Sequence, residues 1–145
     1  MSAAAPAGTP PAMPQTTASA RLAGGPLRCE VDVGGRTVVA DEPEALGGTD
    51  SAPTPQQLVA AALASCVTIT IQMYAQRKEW DLSAVRVDVG YDPTTREPAY
   101  EVTVHLPDHL DGEQRERVMR VAAKCPVHRA LEHGAEIVDR CVVSA

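Results

Sequence analysis

From Thr54 to about Glu79 the chain carries a helix with almost no side fit for water. Thr54 can serve as its N-cap, Pro55 as its first residue and Gln57, three places after the cap, as the other half of a capping box. Between Leu58 and Ile71 only Ser65, Thr68 and Thr70 interrupt an apolar surface, so neighbours must cover the helix all round. The Leu58–Ile71 stretch is too short and too hydroxylated for a membrane span. At ~25 residues the whole helix would be ~37 Å long, more than one small domain encloses. A second copy of the chain is therefore expected to cover part of it, making a homodimer.

With 145 residues, 44% of them hydrophobic, the chain can build one compact core. Residues 1–20 have no charge and are dominated by Ala, Pro, Thr and Ser, so a disordered tail is expected there and a single domain over 21–145. Pro6, Pro10, Pro11 and Pro14 break up any apolar stretch a secretory signal would need, which predicts a cytoplasmic protein with no membrane partner. The formal net charge of −6, without Lys and Arg interleaved with aromatics, argues against nucleic acid as a partner. The four cysteines are then expected to be reduced thiols.

Leu27 to Val33 and Arg36 to Ala40 flank Gly34-Gly35 and predict a β-hairpin with Arg36 at the turn exit. Residues 41–52 read as a loop. Apolar and polar residues alternate over Val85–Tyr91 and Tyr100–Leu106, which predicts two half-buried strands. Asp111 and Gln114 frame a second helix, with Glu113/Arg117 and Glu116/Arg120 spaced for ion pairs on its outer side. Its inner side carries Val118, Val121, Ala122 and Cys125. Pro126 stops this helix and begins a short turn through Leu131, and Gly134 leads into a last predicted strand over Glu136–Val143.

Taken alone, Cys66 reads as a packed core cysteine, since apolar neighbours raise a thiol's pKa and leave it inert. Cys125 is open between packing and chemistry. At the start of the Pro126 turn its sulfur could accept from free backbone amides, which makes it the more acidic thiol on local grounds. Cys29 and Cys141 read as structural residues on strands. Cys125-x-x-His128 has a zinc-compatible spacing, but without a second matched pair no metal site is expected.

Four segments in order, Gly47-Gly48-Thr49-Asp50, Pro53-Thr54-Pro55-Gln56-Gln57-Leu58, Ala61-Ala62-Leu63-Ala64-Ser65-Cys66 and Lys124-Cys125-Pro126-Val127-His128-Arg129, resemble the OsmC/Ohr family of thiol-dependent hydroperoxide reductases, in the subgroup with Cys-Pro-Val-His-Arg at the second cysteine. The resemblance implies an α+β fold, a curved antiparallel sheet around two long helices in an intertwined homodimer. It implies that Cys66 is the peroxidatic thiolate and Cys125 the resolving thiol. Organic hydroperoxide would be the substrate, with a dithiol reductant such as a lipoyl-type group, and no cofactor. Family members also hold the thiolate with an arginine braced by a glutamate. Arg36 is the matching candidate and Arg129 its substitute, whereas Gln56 and Gln57 stand at the glutamate's positions. An amide cannot form the bidentate ion pair that a carboxylate makes with guanidinium. His128 is expected near the site or at the interface. Two other readings stay open: a different small-molecule thiol or sulfur-transfer enzyme on this scaffold, and a non-catalytic dimer that binds a lipid-like ligand.

Overall fold

The computed structural model describes residues 17–143, and these divide between Thr54 and Pro55 into two compact units. The element content is α+β, with antiparallel strands throughout. The expected α+β class is present, and the described strands form a three-stranded and a two-stranded sheet, one in each unit.

The first unit holds β1 (Ala18–Leu22), β2 (Cys29–Val33) and β3 (Arg36–Ala40) in that spatial order. The expected hairpin is β2 and β3, with Val33 opposite Arg36. Gly34 and Gly35 both have positive φ, 58° and 82°, as the tight two-residue connection requires. β1 has no counterpart in the sequence reading. The boundary expected at residue 20 falls inside it, and the rest of the expected tail, residues 1–16, lies outside the described residues.

Beyond β3, the loop folds around Asp41, which is buried. Its carboxylate accepts from the hydroxyls of Thr49 and Ser51 and from the amides of Glu42, Thr49 and Ser51. A buried carboxylate needs such a full set of donors to stay charged. The Thr49 and Ser51 hydroxyls, followed by backbone amides, hold the Asp41 carboxyl well below the ordinary range against the opposing push of burial. Gly48 runs so close to the Glu42 carbonyl that a Cβ on it would meet that oxygen at 1.9 Å.

In the second unit, α1 (Pro55–Lys78) is the long apolar helix, followed by β4 (Arg86–Tyr91), β5 (Tyr100–His105), α2 (Gly112–Ala122) and α3 (Pro126–His133). By length and composition α1 could cross a membrane. Its stripe of Ala60, Leu63, Val67, Ile71 and Ala75 is nevertheless buried, and from Leu63 onward it packs with Leu82, Leu110, Val118, Ala122 and Cys125 into one core. The opposite side of α1 is open, with Ile69 59% and Met73 61% exposed. Glu79 ends the helix in the left-handed region at φ 55°, and the Trp80 amide reaches back to the Ala75 carbonyl.

The capping box at α2 is present in both directions, Asp111 accepting from the Gln114 amide and Gln114 accepting from the Asp111 amide. Arg117 donates to Glu113 at 2.6 Å. The predicted last strand is absent. Residues 136–143 carry no regular structure and pair with no strand among the described residues, leaving Ile137, Val138, Val142 and Val143 exposed. Apolar residues can suggest a strand, but one forms only where its amides and carbonyls meet a partner edge.

Candidate active site

The site is built where α1 meets α3. Cys66 lies on the flank of the buried α1 stripe, one turn after Leu63 and one residue before Val67, and is half-buried against the core. Cys125 is the N-cap of α3 and fully buried, for Pro126 ends the preceding run and starts a new helix whose first amides are free to donate. The His128 amide donates to the Cys125 sulfur over 3.2 Å. The Cys66 sulfur is near enough to act on the Cys125 thiol and raise its pKa.

This closeness reverses one expectation from sequence. Burial pushes the Cys125 thiol above its ordinary value, the His128 amide pulls the other way, and the neighbouring Cys66 sulfur adds to the upward push. The helix-start amides that promised an acidic Cys125 are present, but loss of water outweighs them.

A cavity of about 340 Å³ opens one turn away from each thiol along its helix, at Leu63 and His128. Leu63 on α1, Tyr100 and Val102 on β5, and Leu131 on α3 give it apolar walls, and His128 and Glu132 give it one polar end. The His128 Nδ1 atom lies 3.1 Å from Glu132 Oε2, in ion-pair range but outside hydrogen-bond geometry, so this buried nitrogen has no hydrogen-bond partner. Glu132 is the one site residue that sequence reading passed over. The i,i+4 spacing of His128 and Glu132 after a helix-starting proline was the available signal.

The other expected site residues are placed as follows. Arg129 is exposed, its amide bonded to the Cys125 carbonyl. Gln56 and Gln57 stand in the first turn of α1 with exposed side chains. Arg36 is exposed at the start of β3 in the first unit. Cys29 is half-buried on β2, whereas Cys141, expected on a strand, is exposed in the irregular C-terminal segment. No group of three or more His, Cys, Asp or Glu side chains arranged to hold a metal occurs among the described residues.

The chain belongs to the OsmC-like protein family, whose model matches residues 48–138. Among solved structures it is similar to a Psychrobacter arcticus protein assigned to osmotic-stress induction and a detoxification response, at 22% identity and a TM-score of 0.71, covering 81% of this chain and 89% of that one. An organic hydroperoxide resistance protein of Legionella pneumophila is 25% identical with a TM-score of 0.59, over 83% of this chain and 90% of that one. Another, from Elizabethkingia anophelis with thiocyanate bound, is 20% identical with a TM-score of 0.59, over 83% and 89% respectively. No curated protein matches the chain.

Proposed function

We propose that the protein reduces organic hydroperoxides with the Cys66/Cys125 pair. The observation that carries this reading is the closeness of the two thiols, near enough for Cys66 to act on the Cys125 thiol, with a cavity one turn away along each helix at Leu63 and His128. Family membership and the hydroperoxide resistance proteins among its structural relatives support a peroxide-related role.

The Cys66 thiolate attacks the terminal oxygen of the hydroperoxide, the O–O bond breaks, and sulfur is oxidised to sulfenic acid while the alkoxide takes a proton and leaves as alcohol. The Cys125 sulfur then attacks the Cys66 sulfur, a disulfide forms and water departs. A dithiol reductant, such as a lipoyl-type group, returns both thiols and is itself oxidised to a disulfide. Closeness of the thiols lets Cys125 trap the sulfenic acid before a second peroxide arrives, which is the condition for reversibility. Protonation keeps Cys125 from competing for the first attack.

The working form is a homodimer in this reading. The exposed side of α1 at Ile69 and Met73 supports it, since an apolar helix face of this kind is costly to leave in water.

Peroxide consumption by the wild type, the Cys66→Ser variant and the Cys125→Ser variant tests the proposal. Cumene hydroperoxide should be reduced by the wild type with a dithiol as electron donor, and Cys66→Ser should abolish turnover. Full activity in Cys66→Ser would remove Cys66 from the mechanism. A folded wild type that reduces no organic hydroperoxide would leave the sulfur-transfer or ligand-binding readings.

A further inference from the structure

Cys125 has a second task in the fold besides carrying a free thiol. As the N-cap of α3, its sulfur accepts from the His128 amide over 3.2 Å. Pro126 brings no N–H to the first turn and the Arg129 amide already bonds the Cys125 carbonyl, so the sulfur serves an amide that the helix itself leaves without a partner. Of the two thiol-bearing helices, α3 is the less firmly anchored. It has eight residues, none of them buried, and Val127 packs against the core from a half-buried position. By contrast, α1 has 24 residues and sends Ala60, Leu63, Val67, Ile71 and Ala75 into the interior. Beyond α3, Gly134 at φ 80° leads into the irregular segment 136–143.

We propose that oxidation of Cys66 and Cys125 to a disulfide removes the cap of α3, so that this helix is held in the dithiol form and loosened in the disulfide form. This rests on the disulfide step of the function proposed above, in which the two thiols give up two protons and two electrons to a hydroperoxide, which becomes alcohol and water. A free thiol can turn about its Cα–Cβ bond to face the amide it accepts from. A disulfide sulfur lacks that freedom, because its second covalent bond, here to a sulfur on α1, fixes its direction within narrow limits. As the sulfurs close from non-bonded to bonded separation, the element with less buried surface gives way, and that element is α3. A helix of two turns depends strongly on its cap, having few internal hydrogen bonds to fall back on. His128, Leu131 and Glu132 of α3 line the cavity, so the loosening reaches that wall in the one form that needs a reductant.

Amide exchange followed residue by residue by NMR on the full chain tests this, with the α2 amides as internal reference. After one equivalent of cumene hydroperoxide, with the disulfide verified by intact mass, the amides of residues 127–133 should exchange on the order of fivefold faster, as expected for one lost N-cap. Those of α2 should keep their rates. Cys66→Ser, treated in the same way, should keep the rates of the reduced protein. Cys125→Ala, which has no acceptor, should show the faster exchange without oxidant, whereas Cys125→Ser, whose hydroxyl oxygen is a strong N-cap, should not. Unchanged α3 exchange in protein that has formed the disulfide, equal acceleration in α2, or equal α3 exchange in reduced Cys125→Ala and Cys125→Ser would each overturn the proposal and leave the peroxidase mechanism standing. A protein that forms no Cys66–Cys125 disulfide would remove that mechanism and the uncapping with it.

Discussion

The backbone amide of His128 donates to the sulfur of Cys125 over 3.2 Å, while the ring of the same residue forms part of the wall of the neighbouring cavity. One residue therefore ties the geometry of the second thiol to the polar end of the pocket. The link is a consequence of helix pitch: at the N-cap and third position of α3, the two residues belong to the same turn.

The closeness of Cys66 and Cys125 should produce an intramolecular disulfide when the protein meets one equivalent of hydroperoxide. Intact mass should fall by two hydrogens, and digestion should give one linked Cys66–Cys125 peptide. In Cys125→Ser the sulfenic acid has no resolving thiol, so Cys66 should gain two oxygens and become sulfinic acid. A linked Cys29–Cys141 peptide with Cys66 still alkylatable would contradict the mechanism.

Association should occur through the open side of α1. Sedimentation at micromolar concentration should give a dimer, and Ile69→Asp with Met73→Asp should shift it toward monomer by placing charges where the two exposed apolar side chains stand. A wild-type monomer under these conditions would refute this arrangement.

Asp41 should make the first unit acid-sensitive. Its carboxyl is held below the ordinary range in the fold, so the stabilisation it gives is fully present above the unfolded value, near pH 4, and is lost as pH falls toward the depressed folded value. Asp41→Asn should therefore be less stable at neutral pH and show a shallower decline below about pH 4 than the wild type. Urea titrations across that range measure both effects.

Gly48→Ala should destabilise the protein by about 1–3 kcal/mol, because the added methyl carbon would fall 1.9 Å from the Glu42 carbonyl oxygen and the backbone must move to admit it. Denaturant unfolding gives the value. An unchanged midpoint would mean that the loop around Asp41 is less closely packed than its geometry indicates.

Glu79→Gly should have the opposite sign. At φ 55° the glutamate pays for a left-handed conformation that glycine adopts freely, so the replacement should add about 0.5–1 kcal/mol, read as a higher thermal midpoint.

Much of this was legible in the sequence, and for a common reason. Pro55, Asp111 with Gln114, Gly34-Gly35 and Cys125-Pro126 act through neighbours a few residues away, so the helix starts, the hairpin and the N-cap position of Cys125 follow from local chemistry. The motifs around Cys66 and Cys125 likewise pointed to the family whose model matches the chain. The tertiary structure decided what depends on distant partners and on the removal of water. It brought the two thiols close together, and burial raised the Cys125 thiol that its helix-start position alone would have made acidic. It gathered Thr49 and Ser51 around Asp41, and Glu132 beside the buried nitrogen of His128. It left residues 136–143 without the strand expected after Gly134, because an apolar composition can suggest a strand but cannot supply the edge its backbone must bond to.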